Sequence, residues 1–191
     1  MSIKRRDWMK TAAAALAAVG LGRLALEAGE GENKFAADFG PDWQAQKEYT
    51  LEVAEAMPAE KYDFKPAEGM RGFGQLLGHI GGSIYFFSAG ARGVPPPAEA
   101  RPPQEATKEV MVAYLKGAFD YAAESIAGLT AARTQETVSL FGGRVSMPVW
   151  KLCHFMRDHT THHRGYALPY LRMNAIEPPR YRFAGTGPSP V

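Results

Sequence analysis

Pro148-Val149-Trp150-Lys151-Leu152-Cys153-His154-Phe155-Met156-Arg157-Asp158-His159-Thr160-Thr161-His162-His163-Arg164-Gly165-Tyr166-Ala167-Leu168-Pro169-Tyr170 is far too long for a strand, and its apolar residues recur at helical spacing. At roughly 100° per residue, with His159 as zero, Val149, Leu152, Met156, Tyr166, Ala167 and Tyr170 fall between about −20° and +80°. His163, near +40°, lies in the middle of that stripe with His159 inside it; His162 sits at the edge near −60°, and His154 points away on the side of Arg157 and Asp158. The helix is expected to start with Ser146 as N-cap and Pro148 in the first turn, and to stop at Asn174 before Pro178-Pro179.

Three further helical patterns precede it, with no convincing strand alternation and no long repeat. The first is expected from Pro41, well placed as a first helical residue, to Met57, where Pro58 stops it. The second runs from about Gly72 to Ala91, with Phe73, Leu76, Leu77, Ile80, Ile84 and Phe87 at steps of three and four, and ends at Val94-Pro95-Pro96-Pro97. The third spans about Gln104 to Leu129. Four such helices predict an all-α chain closed into a bundle. The stretches 58–71 and 93–103 are long and Pro-bearing, so simple up-down connectivity is not assured.

The composition suits one globular domain: 191 residues, 46% hydrophobic and 22% charged. A single cysteine, Cys153, excludes an internal disulfide and any all-Cys metal site. The net charge of +2 is uneven. Residues 1–28 hold Lys4, Arg5, Arg6, Lys10 and Arg23 against Asp7 and Glu27, a net of +3, which leaves −1 for the rest. A body so close to neutral has no electrostatic case for nucleic-acid binding. Arg5-Arg6-Asp7-Trp8-Met9-Lys10, followed by the apolar run Thr11 to Leu21, is similar to a twin-arginine export signal and too short to span a bilayer. Residues 1–28 are therefore expected to be a signal peptide, which implies a periplasmic or other extracytoplasmic location. Residues 29–40 read as a spacer, 41–180 as the bundle and 181–191 as a flexible tail.

Histidine is the residue on which the chemistry turns. His159 and His163, four apart on one helix face, have the spacing of a chelating pair, but the same pattern also fits two core imidazoles bonded to hydroxyls or carbonyls. His79 lies in Gly74-Gln75-Leu76-Leu77-Gly78-His79-Ile80-Gly81-Gly82, at the margin of the apolar stripe, and alone reads more readily as a bonded core residue than as a ligand. Gly78, Gly81 and Gly82 permit close approach of a neighbouring helix.

Three stretches together resemble the DinB-like (DNA-damage-inducible) family of small four-helix-bundle metalloproteins. They are Ala56-Met57-Pro58-Ala59-Glu60-Lys61-Tyr62-Asp63-Phe64-Lys65-Pro66, Phe73 to Ile80, and His159-Thr160-Thr161-His162-His163-Arg164-Gly165 with Tyr170-Leu171-Arg172 beyond it. The resemblance covers about Trp43 to Pro179. It implies a DinB-like bundle with long Pro-containing crossover loops, in which His79, His159 and His163 bind a divalent metal, with His162 flanking and His154 on the surface. Tyr166 stands where the family commonly has Gln, which bears on the substrate rather than on the metal.

Three neutral histidines would leave an ion open positions, the arrangement of a catalytic site. The expectation is an exported metal-dependent enzyme, a hydrolase or thiol-linked transferase acting on a small molecule. The alternative is a non-catalytic metal- or ligand-binding bundle, and a weaker third reading is a metal-free bundle with bonded core histidines. Zinc, nickel, iron and manganese are all candidate ions, since imidazole does not select among divalent metals. Export of a folded chain would favour nickel, iron or manganese, inserted before exposure to competing ions. A homodimer is a further expectation from the resemblance. The sequence identifies no acid or base: Tyr166, Tyr85 and Glu52 are candidates only in that a bundle interior could bring them near, and each reads more readily as aromatic packing or, for Glu52, a solvated charge. Met156 and Cys153 are expected to be core.

Overall fold

The structure, a computed structural model, describes residues 33–182; the leader, the start of the spacer and residues 183–191 of the tail lie outside the described residues. The order is α1 (Lys34–Ala56), α2 (Phe73–Arg92), α3 (Lys108–Ala127), a short α4 (Ala131–Gln135), strands β1 (Thr137–Leu140) and β2 (Val145–Pro148), and α5 (Val149–Met173). The four long helices pack in a ring: α1 lies against α3 and α5, and α2 lies against the same two. Helices adjacent in sequence are thus not always adjacent in space. The α1–α2 connection crosses a diagonal, as does the α3–α5 connection.

Helix α1 begins at Lys34, inside the expected spacer, and carries Pro41 in its interior. Proline there removes one helical hydrogen bond, and its exposed position leaves the freed carbonyl near water. The extra turns are held by Phe35, Phe39 and Trp43, which are four apart and stack in succession at ring separations of 5.3 and 6.3 Å. The Trp43 indole N–H donates to the Phe119 carbonyl of α3 (3.2 Å). At the other end Pro58 cannot donate to the Ala54 carbonyl, and the Tyr62 hydroxyl does so instead at 2.7 Å. The same Tyr62 accepts at its carbonyl from the Gly74 N–H (2.7 Å), tying the first crossover to the start of α2.

Helix α2 is buried on almost every side. It ends at Gly93 with φ 74°, while the Arg133 Nε of α4 donates to the Ala91 carbonyl (2.9 Å). What approaches its glycines is mostly not a helix. A Cβ on Gly82 would lie 2.8 Å from the Ala100 carbonyl and one on Gly78 3.1 Å from Pro102, both in the second crossover, with Tyr114 and Met111 of α3 next at 3.4 and 3.5 Å; Gly81 faces α3 first, through Tyr114.

The antiparallel hairpin, with Thr137 opposite Pro148 and Leu140 opposite Val145, is an addition to the all-α expectation. Its tip, Phe141-Gly142-Gly143, has φ of 53°, 67° and 87°. Ser146 is accordingly a strand residue bonded to Ser139 (2.7 Å), not an N-cap, and α5 starts three residues later behind Pro148. Helix α5 stops at Asn174 as expected, with Ala175 left-handed at φ 59° and Ile176 N–H returning to the Leu171 carbonyl (3.0 Å). Tyr181 and Arg182, at the head of the expected loose tail, dock on α1: Tyr181 meets Tyr49 edge-on and Arg182 pairs with Glu48 and Glu52. No helix of the described residues is long and apolar enough to cross a membrane.

Candidate metal centre

Helix α5 buries Leu152, Cys153, Met156, Thr160, Arg164, Ala167 and Leu171, whereas Tyr166 is exposed. At roughly 100° per residue this face is centred near +80° from His159, about 50° round from where the apolar residues alone place it. The difference comes from Cys153, Leu171, Thr160 and Arg164, all buried at about +100° to +140°, and from Tyr166, which is exposed at about −20°. Arg164 is buried over the Tyr49 ring (4.4 Å) and donates to Gln46 Oε1 (2.6 Å) and Thr50 Oγ1 (3.2 Å); the Thr160 hydroxyl donates to the Met156 carbonyl (2.9 Å). His159 and His163 therefore lie at the margin of the core, half-buried, facing α2.

His79 comes from the opposing margin of α2 and meets them. The nitrogen atoms of His79, His159 and His163 that can serve as ligands all lie within 4.8 Å of one another. His79 Nε2 is 3.1 Å from His163 Nε2, and the ring centroids are 4.4 Å (79–163), 4.4 Å (159–163) and 5.2 Å (79–159) apart. Nitrogens bound tetrahedrally at about 2.0–2.1 Å would be separated by roughly 3.3 Å, so the cluster is near that size. Among the described residues the hydrogen bond between His79 and His163 is the only one made by these three rings. That donor set fits a divalent cation.

Electrostatics agree. Burial, followed by the neighbouring His79 and His162, lowers His159 to about 4; burial, followed by His159, His79, His162 and Arg71, lowers His163 to about 4. His79 is lowered by burial and then by Arg71. The rings are thus neutral at pH 7, the form a metal requires.

The other candidates fall elsewhere. His162 is exposed, edge-on to His163 and Tyr166. His154 is not a surface residue but half-buried among Phe35, Phe39 and Trp150, because α1 extends far enough to cover it. Cys153 is buried and its thiol pushed up to about 12 by that burial, which makes it inert core. Met156 is core and takes a contact from the Ser88 hydroxyl. Tyr85 is buried against Tyr114 and Tyr121, and Glu52 holds Arg182, so neither reaches the histidines.

Two clefts flank the cluster. One, of about 560 Å³, is lined by His79, His159, Arg71, Phe86, Phe87 and Phe141 among others; the second, of about 510 Å³, is lined by His163, Arg71, Tyr166 and Tyr170. Among the described residues, no carboxylate lines either. Arg71 and Phe141 escape the sequence reading because they sit on a crossover and a hairpin tip, outside any periodic segment; their one signal is that such connections often carry function.

The model of the DinB superfamily matches residues 42–167. Among solved structures, a DinB-like protein from Bacillus subtilis is similar at a TM-score of 0.64 and 21% identity, over 78% of this chain and 99% of that one. A DinB-like protein from Bacillus cereus is similar at 0.62 and 19%, over 72% and 91%. At these identities the two structures speak for the fold. No curated protein matches.

Proposed function

The chain belongs to the DinB superfamily, and from that premise we propose that it is a metal-dependent enzyme acting on a small molecule, with His79, His159 and His163 as the ligands. The observation that carries the reading is the convergence of three imidazoles, from helices far apart in sequence, at the junction of two open clefts. A divalent ion held there supplies a Lewis acid with positions free for substrate.

Hydrolysis and thiol-linked transfer both fit this lining: a water on a three-histidine ion would ionise at about pH 7 with no carboxylate beside it, and a thiol, which ionises at about pH 8.5 when free, would be held as thiolate at the same open position. In this reading the half-buried rings exclude part of the solvent, and Tyr166, whose ring lies 6.1 Å from that of His163, is a proton-bearing group lining the second cleft. Zinc, nickel, iron and manganese all suit the ligands, and export through the twin-arginine-like leader to the periplasm is part of the same proposal.

Elemental analysis of protein purified from its native cells tests the site: about one divalent ion per chain is expected, lost in His163→Ala and His79→Ala and retained in His162→Ala. Equal metal content in all four would overturn the ligand set. A screen with thiol adducts against esters and amides, with chelation as control, separates transferase from hydrolase, and no turnover in any arm would favour a binding bundle. Cell fractionation tests the location.

A further inference from the structure

The larger cleft has two chemically different walls. Phe86 and Phe141 stack with centroids 5.4 Å apart; Phe87 meets Phe141 at 6.4 Å and His159 at 5.5 Å. Aromatic surface thus runs without a break from the hairpin tip to a candidate ligand. Phe141 is 51% exposed and has φ 53°, a conformation unusual for an aromatic residue. Exposed to that extent, it contributes little to core burial; what it adds is an apolar rim to the cleft.

Arg71 stands on the other side. Its side chain is exposed and forms no ion pair among the described residues, yet it lines both clefts, and its charge reaches His79 and His163. A guanidinium free to take two parallel hydrogen bonds is suited to a carboxylate or a similar planar acid. A volume of about 560 Å³ is in the range of small-molecule sites.

We infer that this cleft takes a small amphipathic anion, whose aryl or alkyl body lies on Phe86, Phe87 and Phe141 and whose acid group is held by Arg71. The inference names the substrate class of the site proposed above and rests on that reading for its catalytic meaning. The binding itself needs only the chain's own residues.

Titration calorimetry of the full-length protein, metal-loaded and chelator-stripped, with 3-phenylpropionate and its neutral analogue 3-phenylpropan-1-ol tests it. In both forms the acid is expected to bind at least about fivefold more tightly than the alcohol, as a charge-assisted hydrogen bond supplies. Arg71→Gln should bring the two to near parity and Arg71→Lys should restore part of the difference. Phe141→Ala should weaken acid and alcohol alike, by roughly threefold or more, through lost apolar contact. Absence of binding, equal binding of acid and alcohol, a preference that survives Arg71→Gln, or indifference to Phe141→Ala would overturn the inference. Metal analysis of the same samples keeps the two proposals apart: the Arg71-dependent preference in a chain that takes no metal sinks only the metal reading, and a loaded chain without the preference sinks only this one.

Discussion

Burial holds His159 and His163 neutral well below the pH at which free histidine titrates. Their folded-state values, about 4, lie below the ordinary 6.5. As pH falls between these values the unfolded chain takes up protons that the folded chain refuses, so stability is present at neutral pH and lost toward pH 4. Calorimetric melting of chelator-stripped protein from pH 7 to 4.5 should show a falling Tm, with a shallower fall in the His159→Gln/His163→Gln double variant. Arg164 gives a second test. It is a buried cation whose hydrogen-bonding partners, Gln46 and Thr50, are neutral, and burial lowers it to about 10, so it stays charged. Arg164→Ala should cost about 2–4 kcal/mol through the cavity and lost contacts, whereas Arg164→Met, which keeps the stem, should stay within about 1 kcal/mol; urea unfolding reads both. The site was only partly legible: the histidine pair shows in its spacing, but a stripe drawn with Tyr166 and without Cys153 and Leu171, and blind to the buried Thr160 and Arg164, is turned toward the histidines. His79 has no such period to reveal it, and took its meaning from family resemblance.

Among the elements, glycine positions separate packing from propensity. A Cβ on Gly74 would collide with the Ala106 carbonyl and come 3.1 Å from Tyr62, and main chain cannot easily give way. Gly165, mid-helix in α5, has nothing within 4 Å of where its Cβ would be. Gly74→Ala should therefore destabilise by at least about 2 kcal/mol. Gly165→Ala should stabilise by about 0.5–1 kcal/mol. Denaturation midpoints shifted in opposite directions would bear this out; a Gly74→Ala midpoint that does not fall would show that the second crossover is not packed as described. The four long helices were legible because each repeats its apolar residues over several turns. The start of α1 was not, since Pro41 reads as a first helical residue unless the Phe35–Phe39–Trp43 stack is known. The hairpin was not legible either: its four-residue strands are mostly half-buried or exposed and offer too little alternation.

For the whole molecule, an ion on His79, His159 and His163 would join α2 to α5 across a separation of 80 residues (159 − 79). Only the folded chain presents that cluster, so metal and folding are linked: at a free concentration 100 times Kd the gain is about 2.7 kcal/mol. Tm should rise by several degrees on loading, return with chelator, and fail to respond in His163→Ala; a rise of equal size in that variant would mean the ion binds elsewhere. The ring order of the bundle was not legible, because periodicity says which face is buried and not against which neighbour.

The three imidazoles are carried by rods, while much of what surrounds them is carried by connections: Arg71 by the first crossover, Pro102 by the second and Phe141 by the hairpin. Under the proposed function the helices would hold the ion, while its guest would meet these connections as well as Phe86 and Phe87 of α2. Exchanging the hairpin, residues 137–147, between related bundles should alter the guest while the helices and their imidazoles stay in place, whereas 93–106 lies too close against Gly74, Gly78 and Gly82 to be rewritten freely.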